Sequence, residues 1–429
     1  MLLRRMFAVA LLVLAPSGSV AQRLADPDRV AGWRSDIDTL LADIARQHYV
    51  CRSRPLPPAL THDADELRAA VLRLSDERML VELEHLMAYL GDGHSYMLPF
   101  GARRGAARVL PLRFYLFSDG LFVIDAAPGS DRWIGSRVEG VGRTPIETVL
   151  ARLTAYVSRD NPMGTKWIGP FLLQFPGTLE AIGDGIAPGR IQLTLRDRQG
   201  GAREVALEPV VLPSPRGVPK LVPSRLPGAP AVPRYLARVS DTYWFEVLPE
   251  ADAVYVQFNQ VMDSPDETLA EFARKLGGLL AERHPDALVV DVRHNNGGHA
   301  ELLPPLVDVL RAYDATRPRG GLYVLTSRNT FSAAQIFIAQ VDRWTHATFA
   351  GEPSSSRPNF VGEENAVVLP WSGARGSISN RYHESIPGDT REWIEPSINV
   401  ELSSADYFAN RDPVMDAVLR DIGSRRRAR

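Results

Sequence analysis

A serine and a pair of glycines in this chain have the types and spacing that acyl transfer requires. Ser332 opens a segment of helical pattern shortly after an apolar run at residues 321–326. Gly297 and Gly298 follow a second apolar run, at residues 287–292, which is typical of a strand buried on both faces. Two strands that end in such turns can place backbone N–H donors beside a hydroxyl, the geometry of a nucleophile with an oxyanion hole.

Each half of this pattern also has an ordinary structural explanation. Paired glycines after a strand usually form a turn, and a serine at the start of a helix usually caps that helix. Neither half therefore predicts catalysis alone, and only the combination of the two indicates a site.

The two halves occur in the order strand, Arg-x-Asn-x-Gly-Gly, helix, strand, and Ser-Ala at a helix start. This order resembles the core of the S41 serine peptidases, which include the tail-specific (C-terminal processing) proteases and the tricorn core protease. The resemblance extends over about residues 36–420. It implies a ClpP/crotonase-like α/β catalytic core, a peptide or protein substrate and no cofactor. It also implies that the backbone N–H groups of Gly297 or Gly298 and of Ala333 form the oxyanion hole.

The general base of such a site cannot be the usual lysine. Many S41 relatives carry that lysine about 25 residues after the serine, where this chain has Arg357, whose guanidinium stays protonated. The only lysines are Lys166, Lys220 and Lys275, and none of them follows Ser332. A Ser-Lys dyad in the usual place is therefore excluded.

His94 is the alternative base. The tricorn-like branch of the family uses a histidine from an earlier segment, and the sequence Asp-Gly-His-Ser at residues 92–95 resembles that segment. A neutral imidazole, with an ordinary pKa of about 6.5, can accept a hydroxyl proton at neutral pH. A histidine after a helix is more often a surface or capping residue, but the resemblance favours His94 as the base.

An acid that orients His94 is the least defined part of the predicted site. Family members often carry it late in the domain, where this chain offers Glu363 and Glu395. The stretch around Glu395 resembles the family's Glu-Pro-Asp-Ile, with Ser397 in place of the aspartate. The sequence leaves both acids open.

A metal site is not predicted. His294 and His299 flank the paired glycines, and Glu301 follows them, but their spacing is not the one-turn pair of a zinc helix.

Composition narrows the class of protein further. The chain has 429 residues, 45% of them hydrophobic, and this length predicts about two to three domains. The formal net charge is −2, and the only basic cluster is at residues 425–429, so nucleic acid is not an expected partner. The single Cys51 cannot form a disulfide within the chain. The sequence does not predict an oligomeric state.

The N-terminus predicts export. Two arginines precede an apolar run that ends before a small-x-small pattern at residues 19–21, which is typical of a cleaved secretory signal. The apolar run is too short for a transmembrane helix, although an uncleaved anchor is an alternative. We therefore expect a periplasmic or secreted protein with no stable membrane span after cleavage.

The chain as a whole predicts an α/β multidomain protein. Helical periodicity dominates the N-terminal region, where helix starts are predicted at residues 63–66 and 75–77, and short alternating strands follow it. A segment with seven prolines then leads into a predicted hairpin at residues 243–258, a helix from about residue 264 and further alternating strands and helices. The predicted parts are a signal peptide (1–21), a helical region (22–103), a PDZ-like β-rich domain (104–212), a proline-rich linker (213–239), the catalytic core (240–420) and a basic tail (421–429).

The PDZ-like interpretation depends on a strand, turn and amphipathic helix at residues 136–153, with a long insertion around residues 165–185. A PDZ-like unit binds extended peptide at a sheet edge, whereas a β-rich spacer binds nothing.

The sequence thus predicts an exported serine peptidase with Ser332 as nucleophile and His94 as base. The alternatives are a catalytically silent peptide-binding protein of the same fold and a hydrolase of non-peptide esters or amides.

Overall fold

The structure is a computed structural model that describes residues 22, 24–100, 108–186, 189–211, 221–226, 230–317 and 320–427. The predicted signal peptide at residues 1–21 lies outside the described residues, as do parts of the proline-rich segment. No described helix is both long and apolar enough to cross a bilayer. The described residues form the mixed α/β structure that the sequence predicts.

Three helices begin the described chain: α1 Pro27–Gln47, α2 Pro58–Ala70 and α3 Asp76–Ala88. Their apolar faces pack together around the buried Trp33. The predicted start of α3 is confirmed, because Ser75 Oγ accepts the backbone N–H three residues later at 3.1 Å. The helix start predicted at residues 63–66 is wrong, because α2 already begins at Pro58. Proline is common at the first position of a helix, since its fixed φ suits a helix and its missing N–H would have no partner there.

A β-rich part follows a short strand, β1 Tyr96–Met97. Its strands are β2 Arg108–Val109, β3 Leu112–Phe117, β4 Gly120–Ala126, β5 Arg137–Val141, β6 Thr144–Pro145, β7 Ile191–Arg196, β8 Ala202–Leu207 and β9 Val210–Val211. The antiparallel sheet has the order β3-β4-β5-β7-β8, with β6 paired to β5, while β2 and β9 form a separate pair. The predicted amphipathic helix is confirmed as α4 Ile146–Leu153. The long insertion is helical, as α5 Pro162–Leu172 and α6 Pro176–Ile182.

The next part contains α7 Arg234–Ala237, β10 Tyr243–Leu248, β11 Ala253–Phe258, α8 Leu269–Arg283, β12 Ala287–Asp291, α9 Pro304–Ala315, β13 Leu322–Thr326, α10 Ala333–Trp344 and β14 Thr348–Gly351. The chain ends with β15 Asn359–Val368, β16 Arg375–Glu384, β17 Ile398–Asn399, α11 Ser404–Phe408 and α12 Pro413–Arg427. Four 3₁₀ turns are also described: Asp131–Trp133, Thr154–Tyr156, Pro249–Ala251 and Ala300–Leu302.

The sheet that positions the site has the order β10-β11-β12-β13-β14-β17. Its strands are parallel except β10, which forms the predicted antiparallel hairpin with β11. Helices α8, α9 and α10 bury their apolar faces on one side of the sheet, and α12 covers the other. Every residue of β11, β12 and β13 is therefore buried, as the apolar runs predict. The helix predicted from residue 264 begins later, where Thr268 and Glu271 form a capping box.

A long hairpin of β15 and β16 joins the N-terminal helices to this sheet. Strand β1 adds to it, with Tyr96 opposite Ser377. Buried side chains of the hairpin, including Ile378, complete the core of the N-terminal helices. The hairpin therefore brings the segment around residue 94 towards the ends of the central strands.

Candidate active site

Ser332 lies where β13 leads into α10. Strands β12 and β13 are parallel neighbours, with Asp291 opposite Leu325, so the turns that follow their carboxyl ends lie side by side. Thr330 Oγ1 donates to Val292 O at 3.0 Å, which holds the two turns together. The site is built at this edge because the carboxyl ends of neighbouring parallel strands meet there.

The backbone of Ser332 is strained. Its φ is 57° and its ψ is −125°, a conformation that residues other than glycine rarely adopt. The hydrogen bond from Phe331 N–H to Asn295 O at 3.1 Å fixes the residue before it, and Ser332 O accepts from Ile336 N–H at 3.1 Å. Such strain costs about 1–3 kcal/mol and persists where the surroundings hold it in place, as they often do at functional sites.

A buried ion pair anchors the serine turn to the rest of the protein. Arg328 Nε donates to Glu352 Oε2 at 2.9 Å, and Arg328 Nη1 donates to Leu116 O in β3 at 2.6 Å. The side chain of Arg328 is almost inaccessible to solvent. Because a buried charge needs such partners, this turn is held to the β-rich part as well as to the central sheet.

The backbone around the paired glycines leaves no space for a side chain at either position. A Cβ on Gly297 would lie 3.1 Å from Ser332 Oγ and 3.0 Å from Ala333 N, and one on Gly298 would lie 2.1 Å from Val261 O. Both glycines also have positive φ, of 111° and 135°. Glycine is therefore required at both positions by space and by conformation.

Two of the three expected oxyanion donors have free N–H groups. Gly297 N–H donates to Asn295 Oδ1 at 3.0 Å, so it is not available in this structure. Among the described residues, no protein acceptor receives the N–H of Gly298 or of Ala333. The available pair is thus Gly298 and Ala333.

His94 lies in a turn after α3 that is held by a buried carboxylate. Asp92 Oδ1 accepts the backbone N–H groups of His94 at 3.0 Å and Ser95 at 2.7 Å. Asp92 also contacts His48 Nε2 at 3.0 Å and accepts from Ser379 Oγ at 2.8 Å. Although burial opposes ionisation, these hydrogen bonds hold the pKa of Asp92 below its ordinary value.

The imidazole of His94 is 2% exposed and stacked between aromatic rings. Its centroid is 4.2 Å from that of Phe331 and 5.3 Å from that of Phe360. Neither ring nitrogen has a hydrogen-bond partner among the described residues. Burial lowers the pKa of His94 to about 4, which the charge of Asp92 opposes and His383 reinforces, so the imidazole is neutral at neutral pH.

Ser332 and His94 line the same pocket, which has a volume of about 1050 Å³. Gly298, Ala333 and Glu363 also line it, and its apolar wall comes from Met97, Leu98, Trp167, Ile168, Phe171 and Leu172. No hydrogen bond joins His94 to Ser332 in this structure. Catalytic hydrogen bonds are often long before substrate binds, so this geometry is compatible with a base and a nucleophile.

Neither of the two acids expected to orient His94 is hydrogen-bonded to its ring in this structure. Glu363 lines the pocket, and its Oε1 lies 3.6 Å from His383 Nε2. Glu395 is exposed, accepts a hydrogen bond from Trp393 Nε1 at 2.5 Å and does not line the pocket. Arg357 is also outside the pocket, where its Nε donates to Asp160 O at 2.9 Å.

The two histidines that flank the paired glycines do not lie together in one site. His294 is buried against Tyr235 in a separate cavity of about 40 Å³. His299 is exposed, with its Nδ1 3.5 Å from Glu301 Oε1. Among the described residues, no group of three or more His, Cys, Asp or Glu side chains is placed to hold a metal ion.

Sequence reasoning missed three residues that shape the pocket. Phe360 and His383 stack on each other with centroids 5.1 Å apart, directly opposite in the β15–β16 pairing. Glu84 lies at the pocket wall, where Oε2 accepts Met97 N–H at 2.6 Å. Burial raises the pKa of Glu84 to about 8. No local pattern marks these residues, because only long-range packing brings them to the pocket.

No family model matches the chain. Among solved structures, mature CPAF complexed with lactacystin is similar over 92% of this chain and 97% of its own, with a TM-score of 0.62 and 15% identity. Another structure of mature CPAF is similar over 92% and 96%, with a TM-score of 0.57 and 14% identity. The chain has the fold of CPAF.

A photosystem II D1 C-terminal processing protease is also similar, over 91% of this chain and 97% of its own, with 14% identity and a TM-score of 0.40. At these identities the similarity shows the fold, and the roles of individual residues depend on the geometry of the site.

Proposed function

We propose that this chain is an exported serine peptidase that hydrolyses peptide bonds through an acyl-enzyme on Ser332, with His94 as general base. The proposal rests mainly on one observation: a strained serine, two backbone N–H groups and a buried imidazole line a single large pocket, and neither the N–H groups nor the imidazole has a hydrogen-bond partner in the part of the chain that the structure describes. A nucleophile, an oxyanion site and a base are the three groups that acyl transfer needs. The resemblance of the sequence motifs to those of the S41 peptidases favours a peptide as the acyl substrate.

In the proposed mechanism, Ser332 Oγ forms a bond to the carbonyl carbon as the imidazole of His94 takes the hydroxyl proton. The N–H groups of Gly298 and Ala333 stabilise the negative charge that develops on the carbonyl oxygen. The carbon–nitrogen bond then breaks, and the imidazolium of His94 gives its proton to the leaving amine. Water next attacks the ester carbonyl as His94 takes a proton from it. The bond between the carbonyl carbon and Ser332 Oγ then breaks, and the imidazolium returns the proton to Oγ as the acid leaves.

The expected PDZ-like role belongs to the same proposal. The β-rich part at residues 108–211 has an antiparallel sheet and the amphipathic helix α4. The carbonyl of Leu116 in its strand β3 accepts a hydrogen bond from Arg328 in the serine turn. We propose that this part binds extended peptide, as PDZ-like units do by adding a strand to a sheet edge.

A catalytically silent peptide-binding protein is the second candidate. Two observations favour it: no acid in the described part of the chain is hydrogen-bonded to His94, and Arg357 occupies the usual lysine position. A hydrolase of non-peptide esters or amides would use the same groups on a different substrate.

A serine-directed fluorophosphonate separates these candidates. The wild type should be labelled once, on the tryptic peptide that contains Ser332, and Ser332→Ala should not be labelled. Hydrolysis of a peptide library, read by mass spectrometry, then separates a peptidase from an esterase. An unlabelled but folded wild type would support the binding protein, and labelling that survives in Ser332→Ala would place the nucleophile elsewhere.

A further inference from the structure

Four rings form a stacked column at the pocket, in the order Phe331, His94, Phe360 and His383. Neighbouring centroids are 4.2, 5.3 and 5.1 Å apart, and neighbouring planes differ by 22°, 8° and 27°. Among the described residues, Phe331 and Phe360 make no ring contact with each other, so the imidazole lies between them. His94 is the only member of the column that the proposed mechanism uses.

The stacked column restrains the orientation of the His94 imidazole, which no hydrogen bond to a described residue does. Asp92 fixes the backbone of the His94 turn, but neither imidazole nitrogen is bonded to a described residue. The ring could therefore rotate about its side-chain bonds if hydrogen bonding were its only restraint. Flat rings on both faces prevent this rotation, because a turned imidazole would collide with one of them.

The surrounding backbone makes room for both outer rings of this slot. A Cβ on Gly93 would lie 2.8 Å from Phe331 Cε2, and a Cβ on Gly362 would lie 2.8 Å from Phe360 Cε2. Neither glycine has the positive φ that would by itself require glycine. Their lack of a side chain is thus explained by the space that the two phenyl rings occupy.

We propose that Phe360 is a positioning residue for His94, and that it and Phe331 form a slot that holds the imidazole towards Ser332. In a Ser-His-Asp triad a carboxylate orients the imidazole, and here the stacked rings would orient it instead. This inference rests on the proposed function, since it concerns the base of that reaction. The slot should also accept a free planar base of the same size when the side chain of His94 is removed.

The first test uses His94→Ala with added imidazole. The rate of Ser332 labelling by a fluorophosphonate should fall by orders of magnitude in this variant and recover as imidazole fills the slot. In His94→Ala/Phe360→Leu, the half-saturating imidazole concentration should rise about tenfold, because leucine keeps the apolar volume but not the stacking face. His94→Ala/Phe245→Leu is the matched control: Phe245 is a partly buried phenylalanine outside the pocket, in ring contact with Phe272, so its rescue should match that of His94→Ala.

The second test leaves His94 in place. Phe360→Leu should lower kcat on a small acylating substrate about tenfold with little change in KM, and Phe360→Tyr should restore it. Gly362→Ala, whose new Cβ would displace the Phe360 ring, should lower kcat in the same way. Circular dichroism and thermal unfolding establish that each variant is folded.

The outcomes are distinct. Equal imidazole rescue with and without Phe360, or no rescue of His94→Ala at all, would overturn the positioning role while leaving Ser332 and His94 in their proposed roles. Full activity of His94→Ala without imidazole would overturn the proposed base and this inference with it. Loss of kcat in Phe360→Leu that Phe360→Tyr does not restore would also overturn it.

Discussion

Because His94 is buried, the free energy of unfolding should decrease in acid, and replacing His94 should remove this part of the decrease. The folded pKa is about 4 and the ordinary pKa is about 6.5. Between these values the unfolded chain binds a proton that the folded chain does not, so the free energy of unfolding decreases as the pH falls. Because one pKa unit corresponds to about 1.4 kcal/mol, the full effect is about 3 kcal/mol.

The perturbation is His94→Gln, measured beside the wild type by urea unfolding at about pH 7.5 and about pH 4.5. Any loss of packing in the variant is the same at both pH values, and the other titrating groups are common to both proteins. The wild type should therefore lose about 2.5 kcal/mol more than His94→Gln over this interval. Equal losses would refute the reasoning, because they would mean that the imidazole is solvated or already paired.

Three further predictions concern the same region. Ser332→Gly should be more stable than Ser332→Ala by about 1 kcal/mol in thermal or urea unfolding, because glycine relieves the positive φ that alanine keeps; equal stabilities would argue against backbone strain. Glu84→Gln should remove a loss of stability at high pH: the folded pKa of about 8 exceeds the ordinary value, so the stability that Glu84 contributes is greatest below about pH 4.5 and falls as the pH rises to about 8. Between about pH 5 and about pH 9 the free energy of unfolding of the wild type should fall by roughly 4 kcal/mol more than that of the variant. Equal decreases in the two proteins, measured by urea unfolding, would contradict burial of the Glu84 carboxyl. Cys51→Ser should retain hydrolysis, since Cys51 is buried outside the pocket against His48, with Sγ 3.2 Å from Nδ1; a folded but inactive variant would revive a cysteine mechanism.

The central sheet could be predicted because its signals are local. Continuous apolar runs at residues 287–292 and 321–326 become buried strands, and their positions along the chain place the turns with Gly298 and Ser332 together. Parallel pairing then follows from the helix between them.

The contacts that complete the site have no local signal. The side chain of Asn295 accepts the N–H of Gly297, which depends on the conformation of the turn. Phe360 stacks on His94 although more than two hundred residues separate them, because the β15–β16 hairpin packs near the His94 turn. Glu395 was a reasonable candidate by motif, yet its side chain is solvated and bonded to Trp393. Motif spacing records which residues are present, whereas burial and hydrogen-bond competition decide which of them face the pocket.

The most direct test of the proposed mechanism compares His94→Ala with Arg357→Ala on one small acylating substrate across pH. Loss of the general base should lower kcat of His94→Ala by orders of magnitude. In the free wild-type enzyme, kcat/KM should fall only as the pH approaches about 4, where the imidazole gains a proton. Arg357 lies outside the pocket, so its variant should keep most of the wild-type kcat. A His94→Ala variant with most of the wild-type kcat and the same acid limb would contradict the assignment of His94 as the base.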